Sequence, residues 1–182
     1  DYILKKLPKK MYVIEKDNNL TTLLVKKFNN EIEIINEDVL KISTDKISQK
    51  KLIVFGNLPY NISTEILSQW IINLKEKFWF NSLVLMFQKE VADRIIAIQD
   101  TANYGRLSIL SNWKLNVKKI LDIKPESFKP RPKIDSTLLV FTPKKKFFEI
   151  KNAKNLETIT RIFFSQRRKM LKKPFNQIFK NA

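Results

Sequence analysis

The chain has 182 residues, with 35 Lys plus Arg against 18 Asp plus Glu, a formal net charge of +17, and neither cysteine nor histidine. Without thiols it can form no disulfide and no thiolate metal site, so no metal is expected, and the composition fits a cytoplasmic protein. No apolar run approaches a membrane span and the amino end resembles no signal peptide, so the polyanion that this charge favours is nucleic acid rather than a membrane surface.

The first elements read as strand and helix in alternation. Met11–Glu15 is a short apolar run ending in an acid, and Asn18 or Asn19 can start a helix carrying Leu20, Leu23, Leu24 and Phe28 at helical spacing. A carboxylate at such a strand end accepts from ribose hydroxyls in nucleotide folds, and otherwise it is a solvated terminus. Glu15 is therefore a candidate ligand residue. Residues 31–36 alternate before turning apolar and predict a further strand, followed by Asp38, for which an Asx-type turn is the plain alternative.

Residues 51–55 form a β-branched and aromatic run that stops at Gly56 and opens into Asn57-Leu58-Pro59-Tyr60. The pattern predicts a buried strand leading to a loop, with Ser63 or Thr64 capping a helix striped by Ile66, Leu67, Trp70, Ile71 and Leu74. The tetrad thus lies at the carboxyl end of a strand, where open α/β sheets bind ligands. It offers an amide side chain, a backbone carbonyl beside a proline that has no N–H, and an aromatic plane. These suit a flat heterocycle with an exocyclic amine. The adenine amine is a poor nucleophile because its lone pair is delocalised into the ring. Two acceptors, the Asn57 oxygen and a carbonyl beside Pro59, can turn that lone pair toward an electrophile. Positioning alone can supply ~7–11 kcal/mol without an acid or base, and stacking on Tyr60 is worth ~1–3 kcal/mol.

Residues 82–88 predict a buried strand and Lys89–Ile98 a helix with Val91, Ile95, Ile96 and Ile98 as its apolar residues. A turn at Asn103-Tyr104-Gly105 leads to a second helix through Leu107, Ile109, Leu110 and Trp113, the last read as core. Val117–Ile123 and Ser136–Thr142 are late strands. The loop between them holds Pro125, Pro130 and Pro132, which restrict it to extended shapes and can fix Phe128 either above a site or as a plug of the sheet end. After Pro143-Lys144-Lys145-Lys146 the chain turns helical, with Leu156, Ile159, Ile162 and Phe163 on one stripe and a second helix from about Met170 to Phe179. Between them Arg167, Arg168, Lys169, Lys172 and Lys173 form a basic cluster suited to phosphates, or a solvated face.

Five ordered blocks carry a resemblance: Phe55–Ser63, Gln88–Arg94, Tyr104–Ser108, Phe128–Ser136 and Phe164–Lys169. Together they resemble the small-subunit ribosomal RNA adenine-N6 dimethyltransferases over nearly the whole chain. The resemblance implies a Rossmann-like class I α/β sheet that is mostly parallel with its last strand antiparallel. Residues 1–146 would be the catalytic domain and 147–182 the start of a small helical RNA-binding domain. It implies S-adenosylmethionine as cofactor, with Glu15 on the ribose, Asp38 accepting from the cofactor's adenine amine, Val39 packing on that ring, and Asn57 near the donor. Tyr60 and Phe128 would sandwich the target adenine beside Asn57 and Pro59.

The expected partner is small-subunit ribosomal RNA, and the expected state is a monomer. The family's first strand and glycine-rich loop have no counterpart before Asp1, so residues 1–182 read as a piece of a longer protein, expected to be unstable or rearranged by itself. A non-catalytic ribosome-assembly factor and a DNA adenine methyltransferase are the alternatives.

Overall fold

The computed structural model describes residues 2–43, 47–74, 78–165 and 170–179. They fall into two compact units, residues 1–49 and 50–182.

In the first unit β1 (Tyr12–Glu15) and β2 (Glu33–Asn36) pair in parallel, Glu15 opposite Asn36, around α1 (Asn18–Phe28). The helix starts at Asn18, within the expected pair, and the preceding Asp17 caps it: its Oδ1 accepts from the Asn19 and Leu20 amides at 2.7 and 3.1 Å. Such a cap is worth ~1 kcal/mol. Leu20 and Leu23 of the apolar stripe remain 48% and 60% exposed, because two four-residue strands give an eleven-residue helix little surface to cover.

The second unit is built on a four-stranded sheet of β3 (Leu52–Asn57), β4 (Phe80–Gln88), β5 (Leu115–Ile123) and β6 (Ser136–Pro143), in the order β3-β4-β6-β5. β3 and β4 run parallel, and β6 is antiparallel to both β4 and β5, so only the last strand is reversed. Around the sheet lie α2 (Ser63–Ile72), α3 (Lys89–Ile96), α4 (Arg106–Lys114) and α5 (Ala153–Phe164), with α6 (Lys172–Ile178) after them. β4 is central and apolar, and its Phe80, Leu83, Leu85 and Phe87 pack with Leu139 and Phe141 of β6 and Leu67, Ile71 and Ile95 of the helices. Each such fully buried side chain contributes ~1.5–3 kcal/mol.

Three local expectations change. β3 is half-covered rather than buried: Val54 packs on the core, while Ile53 and Phe55, on the opposite face by strand alternation, are 60% and 57% exposed. The helix from Lys89 ends at Ile96, because Ala97 takes an extended conformation, and Ile98 is left exposed. On α5, Ile162 is buried but Ile159 is 41% exposed.

Candidate active site

The site residues of the second unit gather at one end of its sheet. Asn57 closes β3 opposite Met86, and two residues further along β4 Gln88 pairs with Ser136, which in turn pairs with Ile123 of β5. The carboxyl ends of β3, β4 and β5 and the start of β6 therefore share one rim. The loop carrying Phe128 springs from it.

Side-chain packing fixes the tetrad on that rim. Leu58 is half-buried against the core, so the chain around it is pinned. Gly56 allows this: a Cβ there would lie 2.7 Å from Leu85 Cδ2 and 3.2 Å from Leu58 Cδ2, inside ordinary contact. Asn57 and Pro59 are exposed. Among the described residues no hydrogen bond engages the Asn57 side-chain amide, which leaves its oxygen available to a ligand. Of the two carbonyls flanking Pro59, that of Pro59 accepts from the Ile62 amide at 3.1 Å and holds the turn. The Leu58 carbonyl, joined to the proline nitrogen, is the acceptor left for a ligand.

Tyr60 is tied in place by a bond that the sequence did not suggest. Its hydroxyl lies 2.6 Å from Ser136 Oγ, and Ser136 is fully buried at the start of β6. The structure thus joins two motifs 76 positions apart and presents the half-buried tyrosine ring from a fixed point. Ser63 does not cap α2. It lies inside the helix, fully buried, and donates back to the Tyr60 carbonyl at 3.2 Å. Phe128 is half-buried on the loop, where its amide donates to the Pro125 carbonyl after a single 3-10 turn.

The candidate cofactor residues of the first unit lie at the carboxyl ends of β1 and β2. Glu15 Oε1 accepts from the Asp17 amide at 2.8 Å. Asp38 does make the Asx-type turn, its Oδ1 accepting from the Leu40 amide at 3.0 Å. Its Oδ2 accepts from the Lys16 ammonium at 2.8 Å, a partner that sequence reasoning missed. The Lys16 ammonium and then the Leu40 amide hold the Asp38 carboxyl below its ordinary value. Asp38 therefore stays an acceptor at neutral pH, with Val39 half-buried beside it.

Of the basic cluster, Lys172 and Lys173 open α6 and are exposed, whereas Arg167, Arg168 and Lys169 lie outside the described residues. Apolar grooves run along α4 and α5, lined by Ile109, Leu156 and Phe163 among others, and hold no carboxylate or amine. Among the described residues no acidic or histidine cluster is arranged for a metal, and no helix is long and apolar enough to cross a membrane.

The model of the ribosomal RNA adenine dimethylase family matches residues 2–182. The chain belongs to this family. A ribosomal RNA small subunit methyltransferase A of Pelagibacter ubique is 73% identical over 181 residues, which is 100% of this chain and 69% of that protein. The protein of the same name from Ehrlichia ruminantium is 42% identical, over 99% of this chain and 69% of its own length. Among solved structures, a dimethyladenosine transferase from Plasmodium falciparum superposes with a TM-score of 0.72 at 30% identity, covering 92% of this chain and 59% of that one. The 23S rRNA methyltransferase ErmE, at 20% identity and a TM-score of 0.64, shares the fold, a Rossmann-like class I methyltransferase sheet.

Proposed function

We propose that the protein transfers methyl groups from S-adenosylmethionine to N6 of adenines in small-subunit ribosomal RNA, twice on each target base. The observation that carries this reading is the unengaged Asn57 amide beside a tyrosine braced from β6, in a chain of the adenine dimethylase family. The activity of the relatives is taken over from proteins of which this chain spans about two thirds.

The residues of the first unit fit the adenosine half of the cofactor. Its ribose hydroxyls and adenine amine are donors, and the strand ends offer the acceptors Glu15 and Asp38, with Val39 as an apolar surface beside them. When bound, S-adenosylmethionine supplies a methyl group on a positively charged sulfur.

The rim residues prepare the nucleophile. A target adenine leaves its stack and is held between the rings of Tyr60 and Phe128, each contributing ~1–3 kcal/mol of stacking. Its N6 amine donates to Asn57 Oδ1 and to the Leu58 carbonyl. Those two bonds draw the nitrogen out of conjugation and direct its lone pair away from the acceptors. The amine proton is acidic only after the methyl has arrived, so it passes to water and no protein base is required. In the second round the single remaining N–H engages one acceptor while the methyl already present takes the place of the other. Exposure of Asn57 and Pro59 provides that room. Beyond residue 146 the chain begins a helical RNA-binding part, in which Arg167, Arg168, Lys169, Lys172 and Lys173 contact phosphates. The reaction takes place in the cytoplasm, on one copy of the protein.

Nucleoside analysis tests the assignment. The full-length protein and S-adenosylmethionine are incubated with unmodified small-subunit ribosomal RNA or with duplex DNA. N6,N6-dimethyladenosine in the RNA alone is expected. N6-methyladenine in the DNA alone, or cofactor binding without methylation, would overturn it.

A further inference from the structure

Residues 115–135 carry six cations and three carboxylates. Each carboxylate is already matched. Asp122 lies 2.7 Å from the Lys119 ammonium and 3.9 Å from that of Lys89, Asp135 lies 2.8 Å from that of Lys124, and Glu126 pairs with Arg131. Among the described residues Lys118, Lys129 and Lys133 have no carboxylate partner. Lys129 directly follows Phe128, and both it and Lys133 are exposed.

The same ion pairs brace the loop. Lys124–Asp135 ties its two ends together, Glu126–Arg131 spans its middle, and three prolines limit its backbone. The Lys89 amide donates to the Asp135 carbonyl at 2.9 Å, joining the loop's end to the start of α3. A loop held in this way presents its spare charges without a large ordering cost on binding. The rim it occupies also carries Asn57 and Tyr60.

We propose that Lys129 and Lys133 form a phosphate-binding site for single-stranded RNA, holding the backbone beside the nucleotide that Phe128 covers. The proposal rests on the functional reading above. The two ammonium groups grip phosphate oxygens and read no base, so they set the register of the strand and leave sequence choice to other contacts. Arg131, Lys124 and Lys119 shape the loop and stay with their carboxylates.

The test measures binding of the full-length protein to a fluorescent twelve-nucleotide single-stranded RNA containing one adenine, across a salt series. In Lys129→Gln/Lys133→Gln the slope of log affinity against log salt is expected to become shallower by about 1.4, at ~0.7 for each ammonium lost. Lys129→Arg/Lys133→Arg should restore the slope. Lys5→Gln/Lys26→Gln, which removes the same net charge elsewhere, should leave it within about 0.3 of the unaltered protein. An unchanged slope in the first variant, or an equal change in the last, overturns the phosphate site. Failure of the functional reading would look different: the unaltered protein would methylate no RNA, whatever its salt slope.

Discussion

The bond between Tyr60 and Ser136 offers the sharpest check on the rim, since it links β3's loop to β6 through side chains alone. Tyr60→Phe keeps the ring and removes the hydroxyl, leaving Ser136 Oγ buried without its partner. A neutral bond of this kind contributes ~0.5–1.5 kcal/mol, and a buried group left unpaired costs ~1–3 kcal/mol. Tyr60→Phe and Ser136→Ala should each lower the unfolding free energy of the full-length protein by about 1–2 kcal/mol. The double variant should fall short of their sum by ~0.5–1.5 kcal/mol, measured by urea denaturation. Methyl transfer separates ring from hydroxyl. Phe retains the stacking face, so kcat/KM should fall less than about tenfold. Tyr60→Ala loses ~1–3 kcal/mol of stacking, roughly 5- to 150-fold. Strict additivity of the two single variants, or an alanine no worse than the phenylalanine, would refute this description of Tyr60.

Gly56→Ala should destabilise the protein by ~1–3 kcal/mol, because the new Cβ meets Leu85 Cδ2 at 2.7 Å, and thermal melts report this directly. The Asp38 carboxyl is held below its ordinary value of 3.8, so its contribution to folding is complete above that pH and declines as pH falls through the lower folded value. A carboxyl titration followed by NMR should place its midpoint below 3.8, and Lys16→Ala should move it upward. A midpoint that ignores Lys16 contradicts the pairing. Asp38→Asn should weaken S-adenosylmethionine binding about tenfold by calorimetry, since the acceptor loses its charge while the Asx turn keeps an oxygen.

Local pattern made the strands and most helices legible, as well as the placing of Asn57 at a strand end. Apolar periodicity and turn residues report on neighbours within a few positions, and these elements depend on such neighbours. What escaped depends on distance or on competition between adjacent groups. Ser136 as the partner of Tyr60 lies 76 positions away, and nothing in either motif marks the pair. The helix start at Asn18 was legible but its cap was not: Asp17 Oδ1 accepts from two amides of the first turn, which an apolar stripe does not report. Lys16 was unremarkable among 35 cations until parallel pairing of β1 and β2 brought it to Asp38. Ile53 and Phe55 looked buried by type, but alternation puts them on the face opposite Val54, and residue type does not say which face the core covers. Strand-end position marked Glu15 as a candidate ligand residue and the proline-held loop offered Phe128 as either a ring above a site or a plug; family resemblance chose between the alternatives.

Asn57 bears the central claim, since in the proposed reaction its oxygen is the acceptor that reshapes the amine. With full-length protein, S-adenosylmethionine and unmodified small-subunit ribosomal RNA, Asn57→Ala should lower single-turnover methyl transfer by roughly a hundredfold or more, as expected for an interaction made to the reacting atom. RNA affinity in the same preparation should change less than about threefold. Equal losses of transfer and binding, or undiminished transfer, would contradict the account.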